Sequence, residues 1–571
     1  MIPVKAEAAK KLSKALGFEV TAEDLKDSPN ADFGFPAFKP AKDAGRKPQE
    51  FALEIASKIK PSGLIKSVEA SKGYVNFHTD SGMLAKSLLE EMARLDGSFG
   101  KPPEAPAGKI ILEHTSVNPS GPIHVGRLRN TLIGDSLRRI LKFYGYKVET
   151  HYYVNDIGKQ IAIIAKGLEQ DVEQDPGVCA EYSQFGHKKD FQIFFTYVTA
   201  NRMYEEDEEF KKSVDALILK AESGDAKALD TITGAAKKAL AGQLETFAKL
   251  EVEFDFFDFE STDLKEGRVF QVMRRVRNSD YVREGKIGVG VDLSEFGIEK
   301  RGGFTVLERP NGTSVYLARD TAYHLEKLKL GDRIINVLGE DHKLQAQELA
   351  MILKHVFNVE KPVEVVHFSF VNFEGEKFST RRGEIASVDM LLDEAQEKAK
   401  DEILERDIGD VHDASTIGVG AVKFSILKTT PLKPITFKWS DALSFEGESA
   451  PYIQYAHARS ARILEKSGVN PESIKVSECD PNLENDEEKE LVKKLMLFPQ
   501  AVEESVKHLR PDIICQYLLE LTGVYGRFYM KCPVIDSGEK ARNRRILLVF
   551  HTKNVLAKGL ELLGIGAPQR M

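Results

Sequence analysis

The chain has 571 residues, 42% of them hydrophobic and 29% charged, with a net charge of −8 that counts against a nucleic-acid partner unless basic surfaces are local. This length predicts several domains, and the lack of a long apolar run or a signal-peptide core argues against a membrane or secreted protein. Because the four cysteines lack Cys-x-x-Cys spacing, we expect reduced thiols, a cytoplasmic location and no structural zinc.

Residues 1–105 are predicted to form a small N-terminal α/β domain. Helical and alternating spacing of apolar residues indicates helices over 4–16, 48–59 and 83–95 and a strand over 73–78. Within this domain, residues 30–35 (Asn-Ala-Asp-Phe-Gly-Phe) are typical of a turn with core aromatic residues. A linker rich in glycine and proline over 97–108 predicts the domain boundary.

Residues 106–372 alternate between strand-like and helical patterns, which predicts a Rossmann-type, doubly wound parallel sheet. Its expected strands are 109–114, 147–154, 333–338 and 363–371. The mostly helical, polar stretch at about 160–262 is interpreted as an insertion into this domain. Residues 373–438 are predicted to be a connecting region, and the helical pattern of 439–571 predicts an all-α bundle.

The most informative segment is Glu113-His-Thr-Ser-Val-Asn-Pro-Ser-Gly-Pro-Ile-His-Val-Gly-Arg, which joins the first strand of this sheet to an amphipathic helix. A helix N-terminus offers unpaired N–H groups and a positive dipole to phosphate. Gly126 has no Cβ, so a flat base can approach the backbone closely. The segment indicates a nucleoside triphosphate site, although taken alone it is equally typical of a helix start with a buried histidine.

A second segment, residues 374–383, reads Glu-Gly-Glu-Lys-Phe-Ser-Thr-Arg-Arg-Gly and follows a predicted strand. Mobile lysine and arginine side chains on such a loop can gather on a triphosphate as pyrophosphate leaves. By itself the segment is more typical of a solvated turn. Its position past the second half of the predicted sheet favours a catalytic loop.

The two motifs, in this order, resemble the signatures of class I aminoacyl-tRNA synthetases, the second in the form found in arginyl-tRNA synthetases. The resemblance implies ATP-dependent attachment of L-arginine to its tRNA through an arginyl-adenylate, with Mg²⁺ arriving on ATP. It implies a monomer with no membrane association. The implied catalytic residues are His124, Gly126, Arg127, Lys377, Ser379 and Arg381. The implied ATP contacts are Pro122, His124, Gly126, Lys377, Phe378 and Ser379.

The resemblance also implies an arginine-binding set: Glu113, Asn118, Tyr316, Asp320 and His342. A guanidinium is a planar cation best met by carboxylates in fork geometry, so Glu113 and Asp320 are expected to hold it. Tyr316 would pack against it, Asn118 would take the α-amino group, and His342 would lie near the substrate. Without the resemblance, Glu113 is typical of an edge-strand charge and Asp320 of the N-cap of a helix over 321–330.

The helical bundle and the N-terminal domain resemble the tRNA-binding parts of the same family. Residues 447–459, the pair Phe528-Tyr529 and the chain end over 563–571 resemble its anticodon-binding segments, which implies that Tyr455, Tyr529 and Met571 form a pocket for an anticodon base. Aromatic side chains that stack on unpaired bases are the usual means of reading single-stranded RNA. In the N-terminal domain the implied contacts to the D-loop of the tRNA are Asn30, Phe33 and Phe35.

The chain departs from the family pattern at two points. The first signature ends in Arg127 instead of histidine, and a guanidinium can still stabilise charge on phosphate. Thr380 and Gly121 stand at the two positions where family members carry a catalytic or compensating lysine. Two alternatives therefore stay open: another class I synthetase, such as the cysteine enzyme, and a catalytically weak paralogue that binds tRNA. The lack of zinc-spaced cysteines argues against the first.

Overall fold

The N-terminal domain is built on a four-stranded antiparallel sheet in the computed structural model, which describes residues 2–28, 31–300, 302–373, 386–483 and 485–571. The strand order is β1–β2–β4–β3. The strands are β1 (Lys26–Ser28), β2 (Ala31–Pro36), β3 (Ile65–Ser71) and β4 (Tyr74–Thr79). The helices are α1 (Ile2–Leu16), α2 (Phe38–Asp43), α3 (Pro48–Lys58) and α4 (Ser81–Leu95). The three predicted helices and the predicted strand are present within two residues of their expected bounds.

The aromatic residues of β2 belong to the core of this domain. Phe33 is fully buried and stacks on Phe77 of β4 with ring centroids 5.4 Å apart, and Phe35 is 5% exposed. Neither ring offers a face on which a base could stack, which corrects their expected role as tRNA contacts: β2 needs both rings to hold the sheet against its helices. Asn30, the third expected contact, lies outside the described residues.

The central domain contains a five-stranded, all-parallel sheet in the order β12–β11–β5–β6–β7. The strands of this part of the chain are β5 (Lys109–Glu113), β6 (Lys147–Val154), β7 (Phe256–Phe259), β8 (Val282–Gly285), β9 (Gly288–Val291), β10 (Thr305–Glu308), β11 (Arg333–Gly339), β12 (Val363–Phe368) and β13 (Val371–Phe373). The helices are α5 (Leu128–Tyr144), α6 (Lys159–Glu169), α7 (Pro176–Glu181), α8 (Lys189–Glu206), α9 (Glu208–Glu222), α10 (Ala226–Lys249), α11 (Glu260–Lys265), α12 (Arg268–Arg277), α13 (Tyr316–Leu330) and α14 (Lys343–Met351).

Close packing of α5 onto β5 fixes the start of the sheet. The apolar residues of β5 are buried on both faces, as expected of a central parallel strand. Gly134 allows the contact, because a Cβ at this position would lie 2.1 Å from Cγ of His114. Gly145, at a φ of 111°, ends α5 in the left-handed conformation that favours glycine.

Strand β7 corrects the expected extent of the insertion. The insertion was predicted at about 160–262, but β7 pairs with β6 and completes the parallel sheet, so the inserted helices α6–α10 end at Lys249. A short antiparallel sheet in the order β10–β9–β8 was not predicted. Its strands have four residues each, and glycines at 285, 288 and 290 leave too few side chains for an alternating pattern.

The C-terminal part is a helical bundle, as predicted. Its elements are β14 (Ile435–Phe437), α15 (Val388–Arg406), α16 (Ala414–Leu427), α17 (Trp439–Ala442), α18 (Ala450–Ser467), α19 (Asp486–Leu495), α20 (Phe498–His508), α21 (Asp512–Lys531) and α22 (Glu539–Leu562). Strand β14 pairs with β13, and the fully buried Arg129 of α5 donates hydrogen bonds to the carbonyls of Ser369 and Lys433, each at 2.8 Å. None of the described helices has the length and apolarity needed to cross a membrane.

A buried ionic cluster fixes two helices of the bundle to each other. Glu488 of α19 is fully buried and lies 3.0 Å from both Arg544 and Arg545 of α22, which are themselves at least nine-tenths buried. Arg544 also donates to the carbonyl of Asp480 at 2.8 Å, which binds the chain segment before α19. The carboxylate thus compensates two guanidinium groups that have little access to water.

Replacing Glu488 with glutamine should lower the free energy of unfolding of the bundle by about 3–5 kcal/mol, because it leaves buried charge uncompensated. Differential scanning calorimetry would measure the loss. The matched control is Glu490→Gln, since Glu490 forms an ion pair with Arg527 in which both side chains are 53% exposed, and such pairs contribute at most about 1 kcal/mol. Equal transitions for the two variants would contradict the prediction.

Candidate active site

The first signature forms the connection between β5 and α5, at the carboxyl end of the parallel sheet. His124 caps the turn that precedes α5, and its Nδ1 accepts a hydrogen bond from the backbone N–H of Gly126 at 3.0 Å. The proton of the neutral ring is therefore on Nε2. That atom is buried and has no hydrogen-bond partner among the described residues. Burial, aided by the nearby charge of Arg127, lowers the pKa of His124 below 6.5, which favours the neutral ring.

Backbone hydrogen bonds bind the first signature to the segment that follows the second. The N–H of Val125 donates to the carbonyl of Ala386 at 2.9 Å, and the N–H of Val388 donates to that of Ile123 at 2.8 Å. Between them, His124 and Ser387 form an isolated antiparallel bridge. The expected Lys377, Phe378, Ser379 and Arg381 lie in 374–385, outside the described residues, and stay predictions. Pro122 is half-buried beside this bridge, and Arg127 is exposed.

The loop after β5 has a strained start. Thr115 and Ser116 have φ angles of 72° and 44°, in the left-handed region that β-branched residues rarely adopt. The N–H of Thr115 donates to Oδ1 of Asn130 in α5 at 2.8 Å, and Oγ of Ser116 donates to Oε1 of Glu113 at 3.2 Å. These bonds to the helix and to the end of the strand hold the chain in a turn that brings Glu113 and α5 to one cavity.

This acidic cavity gathers four of the five residues expected to bind arginine. Its polar lining comprises Glu113, Thr115, Ser116, Arg127, Asn130, Tyr316, Asp320, His324, Asn336, His342 and Gln345. Tyr316 and Asp320 lie one turn apart on α13 and so project from the same face. Asn118 is exposed and does not line this cavity.

Both simpler interpretations of the acidic residues are wrong. Helix α13 begins at Tyr316, so Asp320 lies inside the helix and is not its N-cap. Glu113 ends β5, which is the middle strand of the sheet, and is 8% exposed, so it is not an edge-strand charge. Two carboxylates at buried or nearly buried positions require a cation, and the cavity supplies one of its own.

A buried polar chain connects the two carboxylates. Lys327, fully buried on α13, forms an ion pair with Glu113 and donates to Oδ1 of Asn336 at 2.8 Å. Asn336 lies 2.7 Å from Nε2 of His324, whose Nδ1 lies 2.9 Å from Oδ1 of Asp320. Lys327 compensates Glu113, whereas Asp320 has no lysine or arginine within ion-pair distance among the described residues, so its carboxylate can pair with a guanidinium.

Sequence reasoning missed Lys327 and Gln345. Gln345 lines the cavity from α14, and its Nε2 lies 3.4 Å from Oδ2 of Asp320. A signal for Lys327 was present: Tyr316, Asp320, His324 and Lys327 recur every three or four residues and form a polar stripe along α13. No comparable periodicity points to Gln345, because α14 is short and mixed in character.

A separate groove on the bundle contains the residues expected to read an anticodon base. Tyr455 of α18 and Tyr529 of α21 both line it, and the guanidinium of Arg459 lies 4.7 Å from each ring centroid. Met571 follows the tail after α22 and lies against Gly409, next to the groove-lining Ile408. Two of the three expected residues therefore share this groove, where a partly exposed ring (Tyr529, 40%) is available for stacking.

The parallel sheet, with the signature histidine at the start of the helix after its first strand, is the arrangement of a class I aminoacyl-tRNA synthetase. A family model described as tRNA synthetases class I (R), catalytic domain, matches residues 97–439. A DALR anticodon binding domain matches residues 453–571, and an arginyl tRNA synthetase N terminal domain matches residues 4–79.

Similar proteins define the family more narrowly. The chain is 39% identical over 590 residues to the arginine–tRNA ligase of Methanocaldococcus jannaschii, covering all of both chains. It is 40% identical over 558 residues to that of Methanobrevibacter smithii, covering 96% of this chain and 93% of the relative. The structure of Thermus thermophilus arginyl-tRNA synthetase superposes with a TM-score of 0.80 at 27% identity over all of both chains. The chain belongs to the arginyl-tRNA synthetase family, which confirms the expected family and fold class.

Proposed function

We propose that this protein attaches L-arginine to its tRNA in two steps at the acidic cavity. The observation that carries the proposal is that Asp320, in the acidic cavity, has no lysine or arginine partner among the described residues, while the first signature presents a buried Nε2 of His124 that has no hydrogen-bond partner among them. The carboxylate of Asp320 suits the guanidinium of the amino acid, and the N–H of His124 suits a phosphate oxygen of ATP. Membership of the family indicates the reaction, and these two groups indicate where its substrates would bind.

In the first step, a carboxylate oxygen of arginine attacks the α-phosphorus of ATP. The bond from that phosphorus to the bridging oxygen of the β-phosphate breaks, and arginyl-adenylate and pyrophosphate form. In the second step, a hydroxyl of the terminal tRNA ribose attacks the arginyl carbonyl carbon and AMP leaves. Neither step requires a side-chain nucleophile, so positioning and charge stabilisation provide the catalysis.

Arginine would bind with its guanidinium between Asp320 and Glu113 and with the ring of Tyr316 against its plane. Lys327 pairs with one carboxylate oxygen of Glu113, which leaves the charge of Asp320 for the substrate. His342 would lie at the rim, 3.3 Å from Oε1 of Gln345. Asn118 lies outside the cavity lining. It would contact the α-amino group if the bound substrate extends toward the first-signature loop.

ATP would bind along the first signature, between Pro122 and Arg127. His124 would donate from Nε2 to a phosphate oxygen. Gly126 would leave room for the nucleotide, and a Cβ at this position would also crowd the ring of His124, at 3.0 Å from its Nδ1. Mg²⁺ would arrive with the phosphates of ATP, as its preference for oxygen ligands and retained water suggests. From the sequence alone, Lys377, Phe378, Ser379 and Arg381 would approach the same phosphates.

The tRNA would be recognised away from the reaction. The groove at Tyr455 and Tyr529, with Met571 at its edge, would take an unpaired anticodon base between aromatic rings and the guanidinium of Arg459. We divide the chain into domains at 1–105, 106–372, 373–438 and 439–571. In this division an N-terminal domain that would bind tRNA precedes the catalytic domain. A monomer in the cytoplasm and the lack of zinc follow from the sequence and the resemblance and stay predictions.

Charging of unfractionated tRNA by the purified protein and ATP, with each of the twenty labelled amino acids in turn, tests the proposal. We expect arginine alone to be transferred. Transfer of another amino acid would overturn the assignment of the acidic cavity. If no amino acid is transferred while tRNA still binds, the substitutions at Thr380 and Gly121 have removed activity, and the protein is a tRNA-binding paralogue.

A further inference from the structure

The inserted helices contact the catalytic signatures at buried positions. Gln243 of α10 is fully buried, and its Nε2 donates to the carbonyls of Asn118 at 3.1 Å and Gly121 at 2.8 Å. Both carbonyls belong to the loop that leads into Pro122 and His124. The hydroxyl of Tyr152 donates to a third carbonyl of the same loop, that of Val117, at 2.8 Å. One glutamine side chain from the insertion thus spans the start and the middle of the first-signature loop.

The same helix face also holds the segment that follows the second signature. Thr246, one turn after Gln243 and on the same face, donates from Oγ1 to Oδ2 of Asp389 at 2.9 Å. Lys188, at the start of α8, donates to Thr246 and to Asp389, each at 2.8 Å. All three side chains are at least 98% buried. Asp389 lies two residues after Ser387, which bridges His124.

These polar side chains are not part of the apolar core of the insertion, and the bond from Lys188 to Thr246 also joins α8 to α10. That core is apolar and is formed by residues of α6, α8, α9 and α10, such as Ile164, Phe210 and Ile232. Gln243 and Thr246 continue the face of α10 that carries Ile232, toward the C-terminal end of the helix. Burying a lysine, an aspartate and an amide there is costly unless each is paired. Gln243 pairs with the first-signature loop. Lys188 pairs with Asp389, which follows the second signature, and also with Asp190 of the insertion at 3.4 Å.

We propose that the helical insertion positions the catalytic signatures, with Gln243 as the positioning residue for the first-signature loop and Lys188, Thr246 and Asp389 as the support for the segment after the second. This inference rests on the proposed function. None of the four side chains would touch a substrate. Their effect would act through His124, because a displacement of about 1 Å at a reacting site can reduce a rate by about 10²-fold.

The test measures tRNA-dependent, arginine-dependent ATP–pyrophosphate exchange by the Gln243→Leu variant of the full chain. We expect kcat to fall by on the order of 10²-fold, with the arginine KM and the affinity for tRNA unchanged. Thr246→Val, which removes one hydroxyl and keeps the shape, should lower kcat in the same direction. The matched control is Thr196→Val, because Thr196 is buried in the insertion and, among the residues that the structure describes, its hydroxyl donates only to the carbonyl of Gln192 in its own helix.

A double-mutant cycle separates positioning from stability. When His124 is already alanine, Gln243→Leu should have a much smaller effect on kcat, since the group it positions is gone. The full effect in that background would overturn the inference, as would a lower melting temperature with kcat unchanged. The wild-type enzyme is measured beside the variants. Absence of exchange by the wild type itself would overturn the proposed function, whereas active wild type with unaffected variants would overturn only the inference.

Discussion

Replacing Asp320 with asparagine should raise the KM for arginine by on the order of 10²- to 10³-fold, with kcat at saturating arginine and the KM for ATP little changed. Removing one partner of a desolvated, hydrogen-bonded charge pair costs about 2–5 kcal/mol, and each 1.4 kcal/mol is a factor of ten. The asparagine keeps the shape of the side chain and an acceptor for His324, which lies 2.9 Å from Asp320. The loss therefore falls on the substrate.

The same isosteric change at Glu113 should behave differently. Glu113→Gln should also raise the arginine KM, but it leaves the fully buried Lys327 without its carboxylate, so the melting temperature should fall as well. Glu326→Gln is the matched control, since Glu326 lies on the same helix and pairs with Lys329, which is 67% exposed. An unchanged arginine KM in Asp320→Asn, measured by steady-state charging, would remove Asp320 from the binding site.

Much of the fold could be predicted because its signals are local. The buried strands β5 and β6 are apolar runs, and a helical apolar stripe that ends at Gly145 marks α5. Strand β7 was missed because its four residues follow the inserted helices α6–α10 with no pattern to show which sheet they join. Asp320 was given a possible capping role because aspartate is frequent at N-caps, whereas the helix begins four residues earlier.

The site shows the same division between local and long-range information. The spacing of Tyr316 and Asp320 predicts that they share one helix face, and the histidine near Gly126 can likewise be identified from the sequence. Lys327 reaches Glu113 across 214 positions and Gln243 reaches Gly121 across 122. Contacts between residues so far apart in the chain cannot be predicted from a single sequence. Phe33 illustrates the reverse error, since a resemblance to a contact segment could not reveal that its ring is buried.

His124→Ala should lower kcat for arginine-dependent pyrophosphate exchange by on the order of 10²- to 10³-fold, the usual effect of removing one preorganised donor to developing charge. The arginine KM should stay near that of the wild type, because His124 is absent from the lining of the acidic cavity. Nε2 of His124 is already desolvated and has no partner in the described part of the chain, so its hydrogen bond to phosphate would form at little reorganisation cost.

The chemistry of the donor can be tested with two further variants. His124→Gln keeps an N–H donor and should recover part of the lost kcat, whereas a role limited to filling space would be met by leucine as well. His508→Ala is the control, because His508 is exposed on α20 and pairs with Glu504 of the same helix. Since burial lowers the pKa of His124 below 6.5, the neutral ring with its Nε2 proton should predominate between pH 8 and 6.5. A wild-type kcat in His124→Ala would show that ATP does not bind along the first signature.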